Sequence, residues 1–323
     1  MIVVTGALGF IGSCLISKLN QDGFKNIVAV DDFTTPMLSK KRNIDKKEII
    51  KYVSRVEFPI WLEKNQIDID FVFHLGARAD TMEQSIEVFD KLNFNYSKEI
   101  FKICTKYQIP IVYASSAATY GSGDLGYVDH EPLISELKPL NPYGWSKHNF
   151  DLWVLNQPKK PYFWAGFKFF NVYGPNEYHK GKMASVVYHC FSQIKETSKM
   201  TLFQSHKEGI EHGHQMRDFI YVKDVVDVLI WFFWRRLNTG IYNLGTGQAR
   251  TFLDLTKAVF KSMDKEESID FTPTPTAIRD SYQYFTQANI DKLRMNGYDK
   301  QFTSLEEGIE DYVTNYLITD TIY

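Results

Sequence analysis

A doubly wound α/β fold, with helices on both faces of a parallel sheet and a smaller α/β region laid over one edge, is predicted by three observations. Apolar β-branched runs alternate with amphipathic helical stretches, turn residues fall between them, and a glycine-rich turn joins the first strand to the first helix. In order the runs are "IVVTG", "GSCLISKLNQDG", "NIVAVDD", "FVFHLGA", "NYSKEIFKICTKY" and "IPIVYASS", and the sheet continues through "YFWAGFKFF". Gly23, Pro110 and Pro142 stand between elements, as helix stops and turn residues should. After Phe170 the pattern loosens into longer loops, followed by "RDFIYVKDVVDVL", "GIYNLGTG" and a mixed C-terminal part. The predicted division is a nucleotide-binding domain over 1–170 plus about 217–240, and a substrate-binding domain over 171–216 plus about 241–323.

Composition narrows the function classes. At 323 residues the chain exceeds most single cores, so one large or two closely packed domains are expected. Lys+Arg 37 against Asp+Glu 39 leaves a formal charge of −2, with no basic footprint for nucleic acid or an anionic membrane. An anionic ligand must therefore be met by local clusters. Cys14, Cys104 and Cys190 lie far apart, without the CxxC spacing of zinc or redox sites, and read as buried small hydrophobes in a reducing compartment. "MIVVTG" enters the first strand with no basic leader, which predicts a cytoplasmic protein. The most apolar run, "VVDVLIWFFWRR" from Val225, is broken by Asp227 and falls short of the roughly 20 residues that span a bilayer. It reads as a buried or subunit-interface helix.

"TGALGFIGS" sets Gly6, Gly9 and Gly12 in a GxxGxxG pattern between strand and helix. Without side chains the backbone turns tightly, approaches a pyrophosphate closely, and presents helix N-terminal N–H groups to its charge. A dinucleotide is the expected ligand. The second strand ends in "VDDF", placing Asp31 where a carboxylate meets an adenosine ribose hydroxyl, which favours NAD. Lys40, Lys41 and Arg42 follow, and such a cluster neutralises a 2′-phosphate and favours NADP, so the residues alone leave both open. "HLGARA" from His74 ends the next strand at the sheet edge, where it can pass beneath the cofactor.

"NPYGWSK" puts Tyr143 and Lys147 four residues apart at the start of a helix, hence on one face. A phenol is a poor base at neutral pH. An adjacent ammonium, together with the positive charge of an oxidised nicotinamide, is expected to lower its pKa enough for proton exchange with a substrate hydroxyl. Ser115 and Ser116 end an apolar strand in "YASSAATYG", where a hydroxyl can position the same oxygen. These motifs, TGxxGxxG with strand-end Ser116 and YxxxK, resemble the extended short-chain dehydrogenase/reductase family over nearly the whole chain. The resemblance implies a Rossmann-like fold and hydride chemistry. Ala117 and Ala118 stand where nucleotide-sugar dehydratases of that family usually carry Asp-Glu, which disfavours dehydration.

Among the reactions of the family, inversion of a carbinol carbon needs two proton donors if the flat ketone turns over between hydride removal and return. Lys180, in "NEYHKGKMAS", is the candidate for the second, because partial burial lowers a lysine toward the working range. More narrowly, "FFNVYGPNEYHKGKMAS", with "RDFIYVKDV", "YNLGTG" and "YQYFTQANI", resembles the ADP-L-glycero-D-manno-heptose 6-epimerases, enzymes that invert C6 of a heptose destined for lipopolysaccharide inner core. That resemblance implies Tyr143 and Lys180 as paired acid–base residues, Lys147 as support, and Ser116 beside them. It implies Asn171, Lys180, Lys182, His189, Phe203, Arg217 and Tyr282 at the sugar nucleotide. It implies Gly6, Gly9, Phe10, Ile11, Gly12, Asp31, Asp32, Lys40, Arg55, Leu75, Gly76, Ala77, Arg78, Ala79, Asn93, Tyr143, Lys147 and Val172 at the cofactor. The cofactor it implies is NADP rather than NAD, and the assembly a homo-oligomer, a pentamer.

Two rivals remain at the level of sequence. Another sugar-nucleotide epimerase, such as one acting at C4, would use Tyr143, Lys147 and Ser116 equally well; a non-catalytic dinucleotide binder would have no need of Tyr143 and Lys147. Arg217 is a fork suited to a diphosphate. His206, His212 and His214 lie in one long loop without a carboxylate or cysteine at useful spacing, so no metal is expected and the loop reads as a lid over the nucleotide. His179 and Lys182 stay divided between ligand contact and solvated loop, and "MAS" is expected to start a helix behind Lys180.

Overall fold

The computed structural model describes residues 1–34, 38–279 and 282–323. Six strands come first: β1 (Ile2–Thr5), β2 (Ile27–Asp31), β3 (Lys51–Ser54), β4 (Phe71–His74), β5 (Ile111–Ser116) and β6 (Trp164–Phe169). Beyond them lie β7 (Asn171–Tyr173), β8 (Met200–Phe203), β9 (Met216–Tyr221), β10 (Gly240–Leu244), β11 (Ala249–Thr251) and β12 (Ile269–Thr272). The central sheet is seven-stranded and parallel, in the order β10-β6-β5-β4-β1-β2-β3. Chain direction across the sheet reverses at β1, between β2 and β4. Ligands of open α/β sheets bind outside the carboxyl ends of the strands at such a switch point, which here is where the glycine turn leaves β1.

β1, β2 and β4 are buried at every position, which is why their sequences are continuous rather than alternating apolar runs. Both faces are covered. Phe71 and Phe73 point to the face of helices Phe10–Gln21 and Val222–Arg235, where Phe71 meets Phe233 edge-on with ring centroids 5.1 Å apart. Val72 points to the other, where Tyr113 of β5 meets Phe150 of helix Pro142–Leu155 at 4.9 Å. Helix Val222–Arg235 is the expected buried helix. Its Asp224 is tolerated because both carboxylate oxygens accept bonds from Thr303, from the backbone N–H at 2.9 Å and the hydroxyl at 3.0 Å.

The predicted return of the chain to this sheet stopped at about residue 240, but β10 carries it on through Leu244 as the edge strand beside β6. "GIYNL" is buried throughout, and the Gly-Thr-Gly that follows, rather than the glycine before it, ends the element. The remaining strands make two small sheets, β11-β9-β7 and β12-β8. The apolar cluster on the Phe71 face runs without a break into this region through Phe219, Leu255, Phe260 and Ile309, so the two parts share one core. No helix among the described residues is long and apolar enough to cross a membrane.

Candidate active site

The glycine turn is shaped by backbone packing. Gly6 has φ +67°, and a Cβ there would sit 2.8 Å from the Gly76 backbone at the end of β4; a Cβ on Gly12 would fall onto the Gly6 carbonyl oxygen. Gly9 opens helix Phe10–Gln21 with no side chain capping it. The N–H groups of the first turn therefore have no side chain at Gly9 to accept from them, and the bare glycine leaves room for a group to approach. A nicotinamide dinucleotide fits this cradle. Asp31 ends β2, buried, and accepts bonds from the Leu8 N–H at 2.9 Å and Lys40 Nζ at 2.9 Å. Asp32 pairs with Arg55 at 3.2 Å. Two carboxylates and two cations thus alternate where the adenosine ribose would lie. Lys41 lies beside Lys40 in the helix Leu38–Lys41, whereas Arg42 is turned away, to Asp320 at 2.7 Å.

At the end of β4, His74 is clamped between Thr5 Oγ1 at 2.9 Å and Ser97 Oγ at 2.8 Å, and burial holds it neutral, with its pKa near 3. Thr5 also accepts the Gly76 N–H at 3.0 Å, so the strand end and the glycine turn are tied together. Leu75, Gly76 and Ala77 are half-buried, and Arg78 and Ala79 exposed. The Asn93 side chain is spent on neighbours: it takes the Arg78 N–H at 2.8 Å and donates to the Arg78 carbonyl at 3.0 Å and to Ser146 Oγ at 3.0 Å. It fixes the Leu75–Ala79 segment to the helix of Tyr143.

That helix begins because Asn141 accepts the Gly144 N–H at 2.8 Å and Pro142 occupies its first turn. Tyr143 and Lys147 share one face. Lys147 is buried and donates to the Ala114 carbonyl at 2.7 Å, and burial brings its ammonium down to about 8 against the pull of Asp151. The Ser116 hydroxyl faces the Tyr143 phenol and favours its ionised form. The expected lowering of the phenol does not appear in the protein alone: desolvation raises it above its ordinary range, and Ser116 only partly opposes this. Lys147 is engaged at the strand end, so further lowering has to come from a bound positive charge.

The Lys180 segment is a short 3₁₀ turn, Tyr178–Met183, whose Gly181 breaks the helical backbone at φ +52°. The expected helix starts at Val186, with Ser185 as its cap at 3.2 Å from the Tyr188 N–H. Lys180 Nζ lies 5.2 Å over the ring of Phe10, directly after Gly9, and burial lowers its pKa while Glu177 opposes. The turn thus delivers an ammonium to the glycine cradle. Glu177, fully buried, pins both ends of the turn by accepting from the Gly174 N–H at 3.3 Å and the Ser185 hydroxyl at 2.7 Å. His179 bonds Asn43, which also reaches the Leu8 carbonyl at 3.1 Å. Lys182 and His189 are exposed and meet only through His189 Nε2 and the Lys182 carbonyl, 3.3 Å apart.

Arg217 on β9 sits 5.6 Å from the ring centroids of both Phe252 and Tyr282, and Phe203 approaches Tyr282 at 6.4 Å. Among the described residues it has no carboxylate partner, and burial lowers its pKa. A partly buried guanidinium boxed by aromatic rings presents a charged fork that an anionic group can meet. Asn171 and Val172 on β7 lie at the same ends of the strands, exposed and half-buried. The histidine loop is anchored to Tyr284, whose hydroxyl accepts the His206 N–H at 2.8 Å.

Sequence reasoning passed over one buried constellation beneath the site. Asp151, one turn after Lys147, accepts from Tyr113 at 3.1 Å, Ser115 at 2.7 Å and Lys168 Nζ at 2.8 Å, with Asp151 and Lys168 both fully buried. The traces were there: a carboxylate four residues past Lys147, and a lone lysine in the apolar run "AGFKFF".

A family model described as "NAD dependent epimerase/dehydratase family" matches residues 2–245. An ADP-L-glycero-D-manno-heptose-6-epimerase of Fusobacterium nucleatum subsp. nucleatum is 44% identical over 100% of both chains, and one of Nitratidesulfovibrio vulgaris is 43% identical over 98% of both. The solved Helicobacter pylori ADP-L-glycero-D-manno-heptose-6-epimerase superposes with a TM-score of 0.80 at 27% identity, covering 97% of this chain and 95% of that one. A UDP-N-acetylglucosamine 4-epimerase from Methanobrevibacter ruminantium M1 shares the fold, with a TM-score of 0.81 at 22% identity. Matched by this family model over residues 2–245 and by such relatives over the full chain, the protein belongs to the NAD dependent epimerase/dehydratase family.

Proposed function

We propose that this protein inverts C6 of ADP-D-glycero-D-manno-heptose, giving ADP-L-glycero-D-manno-heptose for lipopolysaccharide inner core in the cytoplasm. The observation that carries the reading is Lys180, an ammonium lowered by burial and held over Phe10 at the cofactor cradle. Full-length relatives that carry the heptose 6-epimerase name support it. When bound, the oxidised nicotinamide supplies a hydride acceptor and a positive charge. Tyr143, aligned by Ser116, takes the proton of the substrate hydroxyl, and Lys147 keeps a positive charge one turn away. After the flat ketone turns over, Lys180 serves its oxygen from the opposite side, protonating it as hydride returns. Arg217 holds the diphosphate between Phe252 and Tyr282, with Asn171, Lys182, His189 and Phe203 around the sugar nucleotide.

Proton NMR of ADP-D-glycero-D-manno-heptose incubated with the protein tests this directly, inversion at C6 being the expected result. Absence of that inversion, with inversion of another sugar nucleotide, would replace the reading by the C4 alternative. Lys180→Ala should lower C6 inversion by about 10²-fold or more, and full retention would remove the two-base mechanism. For the cofactor we propose NADP, with Lys40 released from Asp31 to a 2′-phosphate and Arg55 beside it. Lys40→Ala should then weaken NADP binding and leave NAD binding unchanged; an unaltered NADP preference acquits that lysine. The assembly proposed is a homo-oligomer, a pentamer, to be read from sedimentation equilibrium.

A further inference from the structure

We infer that Asp151 is a positioning residue for the Tyr143–Lys147 pair, and that Lys168 is buried beside it as the ion-pair partner that holds its carboxylate in place beneath the site. The inference rests on the acid–base reading of Tyr143 and Lys147 given above. Its ground is one closed network at the end of β5. Three consecutive strand residues are each bound by a member of it: the Ala114 carbonyl by Lys147 at 2.7 Å, the Ser115 hydroxyl by Asp151 at 2.7 Å, and the Ser116 carbonyl by the Thr119 hydroxyl at 2.8 Å. Lys168 closes the ring, donating to Thr119 Oγ1 at 2.7 Å and to Asp151 at 2.8 Å. Lys147 and Asp151 stand one turn apart on the helix that carries Tyr143, so the network fixes that helix against the strand whose last residue orients the phenol.

Stability gives little reason for this arrangement. Asp151 and Lys168 are both fully buried, and a fully buried ion pair contributes about as much as, or less than, apolar side chains of the same volume, because both ions lose their water. What apolar side chains cannot supply is a fixed negative charge one turn from Lys147. The titratable groups on elements facing Lys147 are His74 of β4, held neutral, and Tyr143, His148 and Asp151 of its own helix; Tyr113 of β5 and Lys168 of β6 stand behind the carboxylate. Burial strips the ammonium of its proton affinity and Asp151 opposes that loss. A carboxylate one turn away supports the charged form of Lys147, which holds the end of β5 beside the phenol.

The test is the double variant Asp151→Asn/Lys168→Met, which removes both buried charges while preserving volume; Asp151→Asn alone would strand the Lys168 ammonium in the core. Lysine-labelled protein with bound cofactor is titrated by NMR, with Lys147→Met assigning the resonance, and kcat and KM for C6 inversion are followed against pH. The expected result is a folded protein in which Lys147 titrates about one pH unit lower. The alkaline limit of kcat moves down with it, and kcat falls about threefold at pH 7.5, as a one-unit drop from about 8 requires, with KM little changed. Unaltered Lys147 titration in the folded double variant would reduce Asp151 to a counter-ion of Lys168 and overturn the inference. So would failure of the double variant to fold, which would assign the pair to folding itself. Because the titration needs no substrate turnover, a wild type that inverts no heptose would sink the proposed function without deciding the role of Asp151.

Discussion

Arg217→Met should make the free protein more stable and the enzyme worse. In the antiparallel pair of β9 and β11, Arg217 stands directly opposite Arg250, so two guanidinium groups share one face. Arg250 is neutralised by Glu306 at 2.5 Å and Asp254 at 3.3 Å, while among the described residues Arg217 has the Met216 carbonyl at 2.8 Å and two aromatic rings but no carboxylate. A like-charge cross-strand pair costs about 0.2–1 kcal/mol, and partial desolvation of Arg217 adds to that. Against this stand two ring contacts of about 0.5–1 kcal/mol each, which a methionine side chain largely replaces by its own packing against Phe252 and Tyr282. The net expectation is a gain of about 0.5–1 kcal/mol, or a rise of roughly 0.7–1.5 °C in melting temperature for the unliganded protein. Binding moves the other way. Losing a charge-assisted fork to a diphosphate costs about 1.5–3 kcal/mol, hence a KM for the sugar nucleotide raised about 10- to 150-fold with kcat much less affected. Differential scanning fluorimetry with and without substrate, alongside steady-state kinetics, reads both. A melting temperature that falls while KM is unchanged would refute the reasoning, since it would make Arg217 part of the fold rather than an unsatisfied cation awaiting an anion.

Other expectations follow from the same geometry. Gly12→Ala should abolish cofactor binding measured by calorimetry, because the new methyl group falls onto the Gly6 carbonyl oxygen and drives apart the turn and the helix that form the cradle; an affinity within threefold of wild type would show that the turn can yield. His74, buried and held neutral with its pKa near 3, should make stability depend on acid. Its ordinary pKa of 6.5 is depressed on folding, so its contribution is fully present above 6.5 and is lost as pH falls from 6.5 toward 3, at about 1.4 kcal/mol per pH unit. His74→Gln should flatten the decline of denaturant-unfolding free energy below pH 6.5, and a slope equal to that of wild type would dismiss His74 as its source.

The sheet was legible because β1, β2 and β4 are buried on both faces, so their residues had to be apolar at every position, and the intervening helices showed their own period. β10 was harder. Its "GIYNL" follows a long buried helix, and nothing local says that a five-residue run opening on glycine pairs with β6, more than seventy residues earlier. The glycine cradle, Ser116 and the Tyr143–Lys147 pair could be read from the chain because their chemistry is written in short spacings next to element boundaries.

What the sequence by itself determined about this protein is its alternation of strand and helix, the glycine turn at the first strand end, and a phenol and an ammonium on one helical face. These follow from local periodicity and backbone sterics. What only the tertiary structure decided is how charges that are distant in the chain meet. It set Asp151 against Lys168 below the site, placed Arg217 directly opposite Arg250, turned Arg42 away to Asp320, and hung Lys180 over Phe10. The physical reason is that a titratable group is defined by its burial and its neighbours, and both are properties of packed elements rather than of the order of residues along the chain.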